Sequence, residues 1–208
     1  MERLQKAIAH AGVTSRRKAE ELGTQVSKQD TVEVDGVPIY QEEYGYYLFY
    51  KPRGVISAVS DDKGRKVVTD YFTDVTERIY PVGRLDYDTS GLLLLTNDGS
   101  FSQKLTHPKH EVDKVYVAKI KGVPTKRDLL PLAKGIRIDG KRTAPANFQI
   151  LSADIKTGSS VVELTIHEGR NHQVKKMFQA VGFPVQKLKR ERYGELTLQG
   201  LRPGQYRD

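Results

Sequence analysis

Asp86 and its neighbours are the part of this sequence best equipped for chemistry. They stand in Gly83-Arg-Leu-Asp-Tyr-Asp-Thr-Ser-Gly-Leu-Leu-Leu-Leu-Thr-Asn-Asp-Gly99, where Arg84, Asp86, Asp88 and Thr89 crowd one polar turn ahead of four consecutive leucines. Turn residues bound those leucines on both sides, Ser90-Gly91 before and Asn97-Asp98-Gly99 after. A run so short and so bounded predicts a strand buried on both faces rather than a helix. A charged turn tied to such a strand holds a carboxylate still, the usual design of a functional loop on a rigid scaffold. Asp88 and Thr89 also have a plainer task, since both side chains can accept backbone N–H bonds and close the turn. Metal readings fail on spacing. Asp86-x-Asp88-x-Ser90-Gly91 opens like a calcium loop, but the twelfth position is Asn97 where a bidentate Glu is required. His167-Glu-Gly-Arg-Asn-His172 separates its histidines by five residues, not the four that a zinc-protease helix needs. His107 and His110 lack a third ligand, and Pro108 breaks any helix between them.

The elements that must position this turn follow from periodicity. Residues 46–52 form an aromatic strand ended by Pro52, and Lys51, Arg53 and Gly54 make a basic turn after it. Residues 55–59 continue as a second strand, 67–72 as a helical turn, and 100–106 as a short helix. Residues 114–121 alternate, with Tyr116, Ala118 and Ile120 on one face. An amphipathic helix over 126–133 ends at Gly135, and strands over 146–152 and 160–167 complete a strand-rich sheet. A last helix starts near Asn171 with Val174, Met177, Phe178 and Val181 as its apolar stripe and Lys175 at the stripe's edge. Ahead of all this, residues 1–22 read as two short helices. The second is capped by Ser15 and carries Arg16, Arg17 and Lys18 in its first turn. Cations there oppose the helix dipole and suit phosphate contacts. Residues 23–40 read as a small hairpin turning at Asp35-Gly36.

Composition narrows the classes. The 208 residues carry a formal net charge of +8, which points to an acidic partner, most often nucleic acid. There is no cysteine, so disulfides, thiolate zinc sites and cysteine nucleophiles are excluded, in keeping with a reducing cytoplasm. No run approaches the roughly 20 apolar residues of a membrane span, and no apolar stretch follows Arg3 and Lys6 as in a signal peptide.

The long motif around Asp86 resembles the active-site motif of the RsuA/RluB branch of the pseudouridine synthases. Lys114-Val-Tyr116 is similar to that family's tyrosine strand, Glu168-Gly-Arg-Asn-His-Gln-Val-Lys-Lys-Met177 to its basic helix motif, and Leu188-Lys-Arg-Glu-Arg-Tyr-Gly-Glu-Leu-Thr-Leu198 to its closing motif. The resemblance runs from Tyr46 to Arg207. It implies an α+β fold, a mixed and mostly antiparallel sheet flanked by helices, over residues 43–208. Residues 1–42 resemble a small S4-like RNA-binding module, but its segments around residues 16–22 and 23–26 abut without the basic hairpin that normally separates them.

The family isomerises uridine to pseudouridine without a cofactor or metal. The resemblance makes Asp86 the catalytic residue, attacking the sugar or removing a proton from it, with Lys175 as its ion-pair partner. Tyr116 is expected to stack on the uracil and to take part in proton transfer, Arg84 to hold the flipped nucleotide, and Leu188 to line the pocket. Lys51, Arg53, Arg170, His172 and the cluster Arg16, Arg17 and Lys18 are expected to contact RNA. The expected partner is ribosomal RNA, the large-subunit molecule before the small, or a pre-ribosomal particle. The protein is expected to be a cytoplasmic monomer with no membrane contact. The alternative is a non-catalytic RNA-binding assembly factor. A base methyltransferase is disfavoured, since there is neither a Gly-rich cofactor loop nor a cysteine nucleophile.

Overall fold

A computed structural model describes residues 1–16, 19, 25–27 and 29–208. Strand β1 (Glu2–Arg3) leads into helix α1 (Leu4–His10) and pairs with β2 (Gln25–Val26). The expected hairpin follows as β3 (Val32–Val34) and β4 (Val37–Ile39), with Asp35 and Gly36 both at positive φ in the turn. The second basic helix falls outside the described residues, and Arg17 and Lys18 with it. Helix α1 buries none of its residues, and Ala19 is the one buried apolar side chain described before Leu48. Glu42 joins this part to the rest. Its N–H donates to the His10 carbonyl at 2.9 Å, and its carboxylate accepts from the Arg78 N–H at 2.8 Å.

Beyond it come β5 (Tyr46–Lys51), β6 (Tyr80–Val82), β7 (Thr89–Thr96), α2 (Gly99–Thr106), β8 (Lys114–Lys121), α3 (Lys126–Lys134), the short pair β9 (Arg137–Ile138) and β10 (Lys141–Arg142), β11 (Asn147–Asp154), β12 (Ser159–Ile166), α4 (Gln173–Ala180), β13 (Val185–Tyr193), β14 (Leu196–Thr197) and β15 (Tyr206–Arg207). One nine-stranded sheet carries the fold, in the order β11-β12-β8-β13-β7-β5-β15, with β14 on β13 and β6 on β7. Every pairing in it is antiparallel except β13 with β7. That parallel contact needs Gly91, whose φ is +117°, because a Cβ there would lie 2.2 Å from the Arg190 carbonyl oxygen. Residues 55–59 do not form the expected strand. A single bridge, Ile56 to Val67, replaces it, because the chain turns away into the 3₁₀ turn Val68–Tyr71.

The leucine run lies in β7, buried on both faces as expected. Leu93 and Leu95 pack with Phe49, Val68, Phe72 and Leu85, while Leu92 and Leu94 pack on the other side with Leu48, Val82 and Tyr193. Burying each leucine is worth roughly 1.5–3 kcal/mol. A second core gathers Ala118, Ile120, Leu164 and Leu188 under Leu129 and Leu132 of α3 and Val174, Met177 and Phe178 of α4.

Candidate active site

The turn before β7 is fixed from below. Leu85 is buried in the core, and Ser57 holds it from both sides: its hydroxyl donates to the Leu85 carbonyl at 2.8 Å and accepts from the Leu85 N–H at 3.1 Å. The Thr89 N–H closes the turn on the Asp86 carbonyl at 3.0 Å. Lys51 completes the support. It is fully buried, and its ammonium donates to the carbonyls of Thr89 at 2.7 Å, Pro52 at 2.9 Å and Tyr87 at 3.5 Å. Burial pulls its pKa down to about 8, against the fields of Asp88 and Asp86. This corrects the expected phosphate contact, since an ammonium enclosed by three carbonyls of its own chain cannot reach RNA.

Asp86 faces the start of α4. Its Oδ2 lies 2.8 Å from His172 Nδ1 and 3.2 Å from Lys175 Nζ. Lys175 bridges onward to Asp88 Oδ1 at 2.6 Å. Desolvation pulls the Lys175 pKa down, but the hydrogen bond to Asp88 and the charge of Asp86 outweigh it, so the ammonium is held above its ordinary value. The hydrogen bond from Lys175 likewise draws Asp88 below the usual carboxylate range. Asp88 is therefore more than a turn former, which the sequence alone did not distinguish.

A cleft of about 70 Å³ joins these groups to Arg84, Thr89, Tyr116, Arg170, Gln173 and Leu188. Asp86, Tyr116, Lys175, Arg84 and Leu188 thus come together although they span 105 residues. Leu188 is buried and opposite Thr89, and Tyr116 is half-buried between two cores. Of the expected RNA contacts, Arg170 and His172 also line this cleft, and Arg53 and Arg16 lie outside it. Arg170 Nη2 donates to the carbonyl of Ile138 at 2.6 Å and, with Nη1, to that of Lys141 at 3.3 and 3.4 Å, so the hairpin of β9 and β10 takes the guanidinium end expected to face RNA. Arg53 is exposed, with Nε on the Asp88 carbonyl at 3.1 Å. Arg16 is exposed at a separate cleft of about 380 Å³, shared with Lys6, His10 and Arg78. A cavity of about 610 Å³ beside α1 is larger than either, and the charged-type pair described at it is Glu2 with His10 at 3.7 Å.

Buried Gln173 went unnoticed in the sequence. Its amide accepts from the Arg170 N–H at 3.0 Å and donates to Glu168 Oε1 at 3.0 Å, and that oxygen also accepts from the Ala144 N–H at 2.6 Å. Its place four residues before Met177, on the apolar stripe, was the available signal.

A carboxylate held by an ammonium and an imidazole beside an aromatic in a polar cleft can act on a glycosidic carbon or a sugar proton. The family profile described as RNA pseudouridylate synthase matches residues 45–180, the segment holding Asp86, Tyr116 and Lys175. The chain belongs to the RNA pseudouridine synthase family. Among relatives of the family, the ribosomal large subunit pseudouridine synthase B of Bacillus subtilis is 58% identical over 224 aligned positions, covering 100% of this chain and 92% of that protein. The ribosomal large subunit pseudouridine synthase E of Vibrio vulnificus is 35% identical over 77% of this chain and 73% of its own. A crystal structure of a pseudouridylate synthase superposes with a TM-score of 0.74 at 31% identity, covering 100% of this chain and 95% of that one. The 224 positions aligned with the Bacillus enzyme outnumber this chain's 208 residues, so that synthase carries internal residues absent here.

Proposed function

We propose that this synthase isomerises a uridine of large-subunit ribosomal RNA, with Asp86 as the residue that attacks the ribose or removes a proton from it. The observation that carries the reading is the convergence of His172 and Lys175 on one oxygen of Asp86, at 2.8 and 3.2 Å, in a cleft walled by Tyr116 and Leu188. The reaction breaks the C–N glycosidic bond, rotates the uracil, and forms a C–C bond to the same sugar carbon. The Lys175 ammonium lies 3.2 Å from Asp86, the charge partner that either role requires. Tyr116 stacks on the uracil and serves proton transfer, and Arg84, which makes no ion pair with any described residue, holds the flipped nucleotide. Extruding the base takes a few kcal/mol, least for an unpaired loop nucleotide. Phosphate contacts from exposed Arg53 and Arg16 offset that, with residues 1–42 as an added RNA-binding module.

The names of the Bacillus and Vibrio relatives support the substrate, and a ribosomal RNA substrate implies a cytoplasmic enzyme. Among the described residues no helix is long and apolar enough to cross a membrane. The absent basic hairpin is the feature that would favour the assembly-factor alternative, but the carboxylate and the groups that hold it are in place.

The test maps pseudouridines in ribosomal RNA from cells lacking the protein, complemented with wild type or Asp86→Asn. One large-subunit site lost, and restored by wild type alone, is the expected result. Restoration by Asp86→Asn overturns the catalytic assignment. A site found only in another RNA overturns the substrate.

A further inference from the structure

His172 adopts a backbone conformation that residues with a Cβ rarely take, φ 51° and ψ 33°, at the residue preceding α4. Such outliers persist where the surroundings over-determine them, and they cluster at functional sites. Here the surroundings are the pair of half-buried Glu168 and buried Gln173, which ties down the turn on both sides of residue 172, and the Lys176 N–H, which donates to the His172 carbonyl at 3.0 Å. The turn aims the imidazole across the cleft to Asp86, 86 residues earlier in the chain. An ionised carboxylate only accepts hydrogen bonds, so Nδ1 is the donor whatever the charge of the ring. Lys175 meets the same oxygen. Oδ2 therefore carries both partners, and no described residue bonds Oδ1.

We propose that His172 is a positioning residue that, with Lys175, pins Asp86 Oδ2 so that Oδ1 is the oxygen presented to the nucleotide. The terminal torsion of an aspartate is broad and roughly two-fold, so one ammonium alone leaves the carboxylate free to swing. Two donors from one helix start on a single oxygen remove that freedom and leave the other oxygen unencumbered. The inference rests on Asp86 being the reactive carboxylate, and it replaces the expectation that His172 serves chiefly as an RNA contact.

The test compares full-length His172→Gly, His172→Asn, Asp86→Asn and wild type on a ribosomal RNA transcript that wild type modifies. Glycine accepts the left-handed backbone and loses the donor, whereas asparagine tolerates that backbone and keeps an amide donor. Glycine is expected to lower kcat by roughly 10–100-fold, the worth of a hydrogen bond to a charged group, with KM, RNA affinity and thermal midpoint little changed. Asparagine is expected to recover most of the rate. Three results overturn the proposal: glycine as fast as wild type, a loss confined to KM, or asparagine as slow as glycine. The second means an RNA contact and the third a need for the imidazole itself. An active Asp86→Asn is a separate failure, that of the catalytic assignment.

Discussion

Two lysines approach the Asp86–Asp88 turn, one buried beneath it and one from across the cleft. Lys51, at the end of β5, comes from beneath and gives its ammonium to three backbone carbonyls. Lys175, on the first turn of α4, comes from across the opening and gives its ammonium to two carboxylates. One is sealed from solvent and the other keeps 28% of its side chain exposed. Carbonyls fix a loop, while carboxylates are the groups that react or tune the one that does. The same residue type therefore serves as scaffold on one wall and as electrostatic partner on the other, and the acceptor atoms decide which.

The largest expected effect belongs to the residue that both lysines surround. Asp86→Asn should lower kcat by more than about 10⁴-fold while RNA affinity stays within about twofold, read by single-turnover assay and filter binding. Lys175→Ala should follow, losing about 10²–10³-fold in kcat for want of a charge at the site, with under about 1 kcal/mol of stability lost because the pair is partly exposed. Lys51→Met should invert that pattern. Stranding carbonyls at about 1–3 kcal/mol each should take at least about 3 kcal/mol from the unfolding free energy in urea, and activity should fall only as the turn loosens. Equal stability losses in the two lysine variants would erase the distinction between the walls.

Acidity gives a subtler test. The Lys51 pKa in the folded chain is about 8, below its unfolded value, so keeping it protonated works against folding at every pH below about 8. That penalty is relieved as pH rises from about 8 toward the unfolded lysine value, so Lys51 makes stability increase across this window. Activity should fall in the same window as the ammonium loses a donor and its charge. Urea midpoints and rates at pH 7 and 10, each compared with Lys51→Met, check both signs. Smallest of all, Arg16→Ala lies outside both walls. It should leave kcat unchanged and reduce the salt slope of RNA binding by roughly 1.

What the sequence disclosed depended on range. The strand at residues 92–95 and the stripe of α4 were legible because period and flanking turns are local properties. The pairing of Asp86 with Lys175 was not, since 89 residues separate them, and it came from the resemblance of two motifs rather than from spacing. Lys51 was misread because a lysine followed by Pro-Arg-Gly looks like a basic surface turn. Its burial depends on carbonyls at residues 87 and 89, supplied by the turn and by another strand. Strand β13 was known only as a closing motif. With Lys187, Lys189, Arg190 and Arg192 it lacks an apolar alternation, because Arg190 is buried with its Nε on the Leu92 carbonyl at 2.8 Å.

The place of β13 in the sheet also bears on synthesis. It lies between β8 and β7, and so between the half that holds Tyr116 and the half that leads in from Asp86. Among the described residues no other strand of the main sheet bridges those halves, and β13 follows both of them in the chain. A nascent chain can fold the leucine strand against β5 early, yet its two half-sites stay unjoined until residues 185–193 have been made. An RNA-modifying enzyme emerging into an RNA-rich surrounding is thereby silent until β13 is inserted.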